Sequence, residues 1–274
     1  MLRRLLKYDI RYVFRYLWIL ALASLGGSLI GGLSIGVLER DNFASEHRGY
    51  IFAILGICLA VFVIVALVFA AMMFCYYRFY QNFYSDEGYL TFTLPVRRCD
   101  LLNSKLVSTF TASVSAIVVV ILDVFLMCLI GYGDKLGGII GEVAAEIAAL
   151  RGVDVLYFII SVIEILLIVV GSIILSTLIV FMCISLSSMI TKKYRVILGI
   201  AIAYVVSGIL SSFMYFLLGY GSVSVGDIFS MIPDEYISLV TVIFLFCVMA
   251  LIYLLSAIVY TVEYRLLDKH LNLS

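Results

Sequence analysis

Six apolar runs divide the 274-residue chain. A helix crossing a hydrocarbon core of ~30 Å needs about 20 mostly apolar residues, and residues 17–38, 51–77, 106–130, 155–190, 194–220 and 237–262 all meet that length. In lipid every backbone N–H and C=O must find its partner within the protein, so such runs fold as helices rather than as open sheet. The expected fold is an all-α integral membrane protein, one transmembrane domain over residues 1–274 with six spans. The fourth run is too long for one perpendicular crossing and too short for two with a turn, so it reads as a single tilted span with extra helix at an end. Composition agrees with this class. Some 65% of residues are hydrophobic and 13% charged, against roughly half and a quarter in a soluble domain.

Net charge is zero, but in a membrane protein the side on which each charge lies carries the information. With the N-terminus inside, fourteen of the eighteen Lys and Arg fall on one side and four, Arg40, Arg48, Lys135 and Arg151, on the other. The positive-inside bias places both termini in the cytoplasm. The first run is too long for a signal-peptide core and no small-residue cleavage site follows it, so it is expected to remain as an anchor. Pro95 and Pro233 lie in connections. Their position argues against proline-broken transporter helices, and no repeat relates the two halves.

Several segments invite a chemical reading. Residues 2–16 place Arg3, Lys7, Arg11 and Arg15 four apart, with Leu2, Leu5, Leu6, Ile10, Val13 and Phe14 on another face. That pattern predicts a basic amphipathic helix in the cytoplasmic interface ahead of the first span. Within that span Gly27/Gly31 and Gly32/Gly36 stand in G-x-x-x-G spacing. Small residues let helix backbones approach closely, either against another span of the same chain or against a second subunit. Asp123 and Glu164 are the carboxylates well inside apolar runs. Such groups are costly in lipid and are usually paired or functional, so they either share a proton, face a wet cavity, or sit where helices dip near the outer interface. The six cysteines form no C-x-x-C pair, and no metal site or disulfide framework is expected. There is no phosphate-cradling loop, no H-E-x-x-H and no nucleophile elbow. An enzyme acting alone is unsupported, and catalytic residues are not expected on this chain.

The connection over residues 78–105 is the most informative stretch. Ser85 suits an N-cap, Asp86 and Glu87 suit the positive end of a helix, and Pro95 stops it about two turns later. A short cytoplasmic helix results, carrying Tyr89, Leu90, Phe92 and Leu94. That many large apolar side chains need a cover, either a partner or the bilayer and the other spans.

The run Ser85-Asp-Glu-Gly-Tyr-Leu-Thr-Phe-Thr-Leu-Pro-Val96, followed by Leu101-Leu-Asn-Ser-Lys105, resembles the coupling-helix region of membrane subunits of bacterial ATP-binding-cassette transporters of the type 2 exporter class, especially Gram-positive permeases. The layout of interfacial helix, six spans and both ends inside is similar too. The resemblance implies that Asp86, Glu87, Gly88, Tyr89, Leu90, Pro95 and Arg97 contact a separate cytosolic ATPase subunit. It also implies that ATP and magnesium are held by that partner, and that a second permease chain, identical or different, completes the path across the bacterial cytoplasmic membrane. No nucleic-acid partner is expected. Such families often carry a re-entrant hairpin before the last span, and residues 221–236 are short for one.

The leading expectation is a permease subunit of an ATP-driven exporter. The alternatives are a membrane sensor or assembly protein that transports nothing, and an ion-coupled carrier using Asp123 or Glu164. Outside the membrane, Ile139, Ile140, Val143, Ile147 and Leu150 recur at roughly helical spacing beside Glu142 and Glu146. They predict an external amphipathic helix within residues 131–154.

Overall fold

The computed structural model describes residues 2–40, 47–85, 97–133, 135–149, 153–190, 197–209, 212 and 234–270. The helices are α1 (Leu2–Arg40), α2 (His47–Tyr84), α3 (Arg98–Tyr132), α4 (Lys135–Ala149), α5 (Val153–Ile190), α6 (Ile197–Ile209) and α7 (Asp234–His270). Five of them contain stretches long and apolar enough to cross a membrane: Leu6–Leu38, Gly49–Tyr84, Cys99–Tyr132, Asp154–Ser188 and Tyr236–Leu267. The chain is an all-α, multi-pass membrane protein. The run at 194–220 is described mainly as α6, about 20 Å of helix at 1.5 Å per residue, and apart from Ser212 the rest of that run after Ile209 lies outside the described residues.

The five stretches are 32 to 36 residues long, or roughly 50 Å of helix. Even a tilt of about 40°, near the upper end of the usual range, leaves each several ångströms longer than a ~30 Å core. The helices therefore run on beyond the hydrocarbon. One boundary differs from the sequence reading for this reason. The amphipathic segment 2–16 and the first span are a single α-helix, Leu2–Arg40, with no interruption at Leu17. Nothing between Leu2 and Leu25 is a glycine or proline, so nothing stops propagation once the first turns form.

By packing, the chain divides into two compact units, Met1–Arg78 with Val107–Ala149 and Phe79–Leu106 with Leu150–Ser274.

In the first unit one face of α1 is buried at Asp9, Val13, Ser24, Gly27, Ser28, Gly31 and Gly32, while Lys7, Arg11 and Arg15 are exposed. The spacing is that of one helical face. The glycines on it lie against α2 and α3. A Cβ at Gly31 would stand 2.7 Å from Ala60 Cβ, and one at Gly32 would stand 2.9 Å from Ile130 Cβ. Backbone approach this close is what small residues provide where hydrophobic attraction between spans is absent. Gly27 is less tight, 3.1 Å from Val63, and Gly36 is ordinary, 3.5 Å from the Ile130 carbonyl. Ala60, Ile64 and Met127 form a buried cluster beside this seam, and Val13, Cys75 and Ala112 form another. Tyr12, Tyr16 and Phe74 pack ring on ring, and the Arg78 guanidinium lies 3.9 Å over the Tyr12 ring. A cation over an aromatic face gains electrostatic attraction without an acid. α3 ends at Gly133, whose φ of +49° is the left-handed conformation of a helix C-terminus. Its N–H reaches back to the Leu129 carbonyl, and the chain turns into α4. That helix is the expected one after the third span, with Ile140, Val143 and Ile147 exposed on it.

In the second unit α5 packs along α7. Gly171 of α5 lies against Ile252 and Tyr253 of α7, and the Tyr253 hydroxyl donates to the Leu167 carbonyl. Ile179, Cys183 and Ala203 make the buried cluster, with Val259 against it.

Candidate functional site

The second unit gathers its polar contacts at the helix ends that flank residues 86–96. On one flank, α2 ends at Tyr84, and the Ser85 hydroxyl turns back to the Gln81 carbonyl. Tyr84 Oη donates to Ser185 Oγ at 2.7 Å, and Ser185 Oγ donates to Glu263 Oε1 at 2.6 Å. Glu263 is fully buried, and its Oε2 has no hydrogen-bond partner among the described residues. One turn earlier, Phe79 stacks on Phe181 with ring centroids 3.8 Å apart and planes within 4°. This is large buried aromatic area in a closely parallel pair.

On the other flank Arg97 is exposed, and its carbonyl accepts from the backbone N–H of Asp100 and Leu101 at the start of α3. Tyr260 Oη donates to Asn103 Oδ1 at 2.9 Å, and Asn103 Nδ2 donates to Cys99 Sγ at 3.5 Å. Cys99 Sγ lies 3.2 Å from Tyr260 Oη. Because the phenolic proton is given to Asn103, the thiol is the donor in that contact. The three groups thus form a closed ring, each giving one proton and taking one.

Both flanks meet one face of α7. Tyr260 and Glu263 are three residues apart, with Ser256 and Leu267 buried on the same side. Residues separated by three and four stack on one helix face, so α7 presents a phenol and a carboxyl in successive turns to the two helix ends. α5 supplies the relay, Ser185, and the stacking partner, Phe181.

The structure places the sequence-predicted residues unevenly. Asp86, Glu87, Gly88, Tyr89, Leu90 and Pro95 lie outside the described residues. Arg97 sits at the N-terminus of α3 beside the ring of Cys99, Asn103 and Tyr260. Gly27, Gly31 and Gly32 pack inside the first unit. Asp123 belongs to the first unit and Glu164 to the second. Both are buried, and among the described residues Asp123 has neither oxygen hydrogen-bonded and Glu164 has no partner for Oε2. Ionised carboxylates in that position cost several kcal/mol unless a cation or donor comes to them.

The sixth apolar run, 237–262, stops one residue short of Glu263, so hydropathy does not single that carboxylate out. α7 instead continues to His270. The signal was present in the helical spacing Ser256, Tyr260, Glu263, Leu267, which runs a buried face straight through that boundary. Tyr84, Ser185, Cys99 and Asn103 carry no such signal, since their roles come from partners 78 to 161 residues away. No protein-family model, no curated protein and no solved structure matches the chain, so its function has to be argued from its own residues.

Proposed function

We propose that the chain is the permease subunit of an ATP-driven exporter in the bacterial cytoplasmic membrane. It has no ATPase activity of its own and forms the translocation path with a second permease chain. A separate cytosolic ATPase docks on residues 85–97 and supplies the driving force.

The observation that carries this reading is the pair of hydrogen-bonded flanks. A segment that only joined two spans would have no need of fixed ends. Here its two ends are tied, through Tyr84–Ser185–Glu263 and through Cys99–Asn103–Tyr260, to the same face of α7. Movement of residues 86–96 is then passed to α7, and through their long packed contact to α5. For ATP to drive such a change, the ATPase must bind the two permease states with different affinity. The docking segment is where that difference acts. Arg97, exposed next to it, offers a cation to the partner. The positive-inside distribution of Lys and Arg supports a cytoplasmic position for this end, where ATP is. Among the described residues most of the apolar surface of α5 and α7 is uncovered, which leaves room for a partner permease beside the lipid.

The test is purification of the chain from its native membrane in mild detergent, with mass spectrometry of what accompanies it, beside a Glu87→Arg, Leu90→Asp variant. A nucleotide-binding subunit that accompanies the parent and is lost from the variant is the expected result. Absence of any such subunit across several detergents rejects the exporter reading.

A further inference from the structure

The first unit holds a cavity of about 360 Å³ between α1, α2 and α3, within the roughly 300–1,000 Å³ usual for small-molecule sites. Its walls are apolar: Leu17 and Ala21 of α1, Leu67 and Ala71 of α2, Ala116 and Val119 of α3. Three polar groups interrupt them, and their chemistry is one-sided. Ser24 and Ser115 spend their protons on the carbonyls of Ala21 and Ala112, so toward the cavity each hydroxyl has only lone pairs to offer. The third is Asp123, fully buried, with neither carboxylate oxygen hydrogen-bonded among the described residues. Trp18 is the lining residue whose side chain carries a donor, and it is 69% exposed. A cavity with a carboxylate and two further acceptors in apolar walls is complementary to a group rich in N–H donors and positively charged, attached to an apolar body.

We propose that this cavity binds an amphipathic amine, its ammonium against Asp123 and its hydrocarbon between α1, α2 and α3. An ammonium brings three donors and a charge to a carboxylate that has no hydrogen-bond partner among the described residues. A neutral alcohol brings a single donor and no charge, and an anionic amphiphile adds repulsion. The hydrocarbon enters past Phe14, Trp18 and Val118, which are exposed. The site rests on the geometry of the first unit alone and does not depend on whether an ATPase docks on residues 85–97.

Trp18 is the single tryptophan of the chain and lines the cavity, so its fluorescence reports on this site. The full chain is reconstituted in lipid vesicles at neutral pH and titrated with octylamine, with octan-1-ol and octanoate as neutral and anionic molecules of equal length. A saturable change in Trp18 emission is expected with octylamine only. Asp123→Asn, which keeps the side-chain shape, is expected to weaken it at least tenfold, and Ala116→Leu, which fills the cavity, to abolish saturation. Should Asp123→Asn fail to fold, the parent protein still decides by its preference for amine over octanoate. Equal responses to all three molecules, or unchanged octylamine affinity in both variants, overturn the proposal. So does emission that follows the protein-to-lipid ratio and ignores the amine, which assigns the cavity mouth to a second copy of the chain.

Discussion

Tyr260 of α7 donates its phenolic proton to Asn103 of α3 at 2.9 Å, across 157 residues of sequence. The bond ties the helix that follows residues 86–96 to the last helix of the chain. Tyr260→Phe removes it while keeping the ring, and leaves the acceptor of Asn103 and the thiol of Cys99 without their partner. A loss of about 1 kcal/mol is expected, in line with a net side-chain hydrogen bond, measured by thermal denaturation in mild detergent. If the exporter reading holds, the ATPase still co-purifies with this variant while transport-linked ATP turnover falls. That separates a transmission residue from a docking residue such as Glu87.

On the other flank Ser185 donates to Glu263 at 2.6 Å and accepts from Tyr84. A double-mutant cycle with Ser185→Ala and Glu263→Met, whose side chain has no oxygen to accept the hydroxyl, isolates the pair. Groups in one hydrogen-bond network couple by roughly 0.5–3 kcal/mol, and a favourable coupling in that range is expected from melting of the four proteins. Additive effects would remove this bond from the transmission path.

The glycines of α1 are expected to differ in tolerance. Gly31→Ala puts a methyl 2.7 Å from Ala60 Cβ, an overpacked contact of about 1–3 kcal/mol. Gly36→Ala meets only ordinary contacts and is neutral or slightly stabilising through its better helix propensity. The added methyl also meets the Met127 side chain at 2.5 Å, and glycine inside a helix costs about 1 kcal/mol by itself, so Ala60→Gly is expected to couple favourably with Gly31→Ala without restoring stability fully. Absence of that coupling, read by thermal denaturation of the four proteins, would contradict the described packing of α1 on α2.

Orientation has its own test. In a cysteine-free background, Gly137→Cys on exposed α4 is expected to react with a membrane-impermeant maleimide added to intact cells. Lys7→Cys, exposed near the start of α1, reacts only after permeabilisation. The reverse pattern inverts the topology and places residues 86–96 on the wrong side for an ATPase.

Much of the fold is a local property and was legible from residue order. Length and hydropathy alone mark the five long spans, and the spacing of Ile140, Val143 and Ile147 marks α4, because a helix needs only its own backbone bonds and an apolar face. Where the first helix begins was less legible. Amphipathic and uniformly apolar stretches join without a breaker, and only the continuous helix shows that segment 2–16 and the span are one rod. The docking motif at 86–96 lies outside the described residues and stands on sequence alone. The tertiary structure decided what depends on how helices are rotated against one another. It made Gly31 tight and Gly36 roomy although both stand in the same spacing. It buried Glu263 beside Ser185, left Asp123 at the edge of a cavity without a hydrogen-bond partner among the described residues, and brought Tyr260 to Asn103. Rotation is set by the summed packing of side chains distant in sequence, and no local pattern carries that sum.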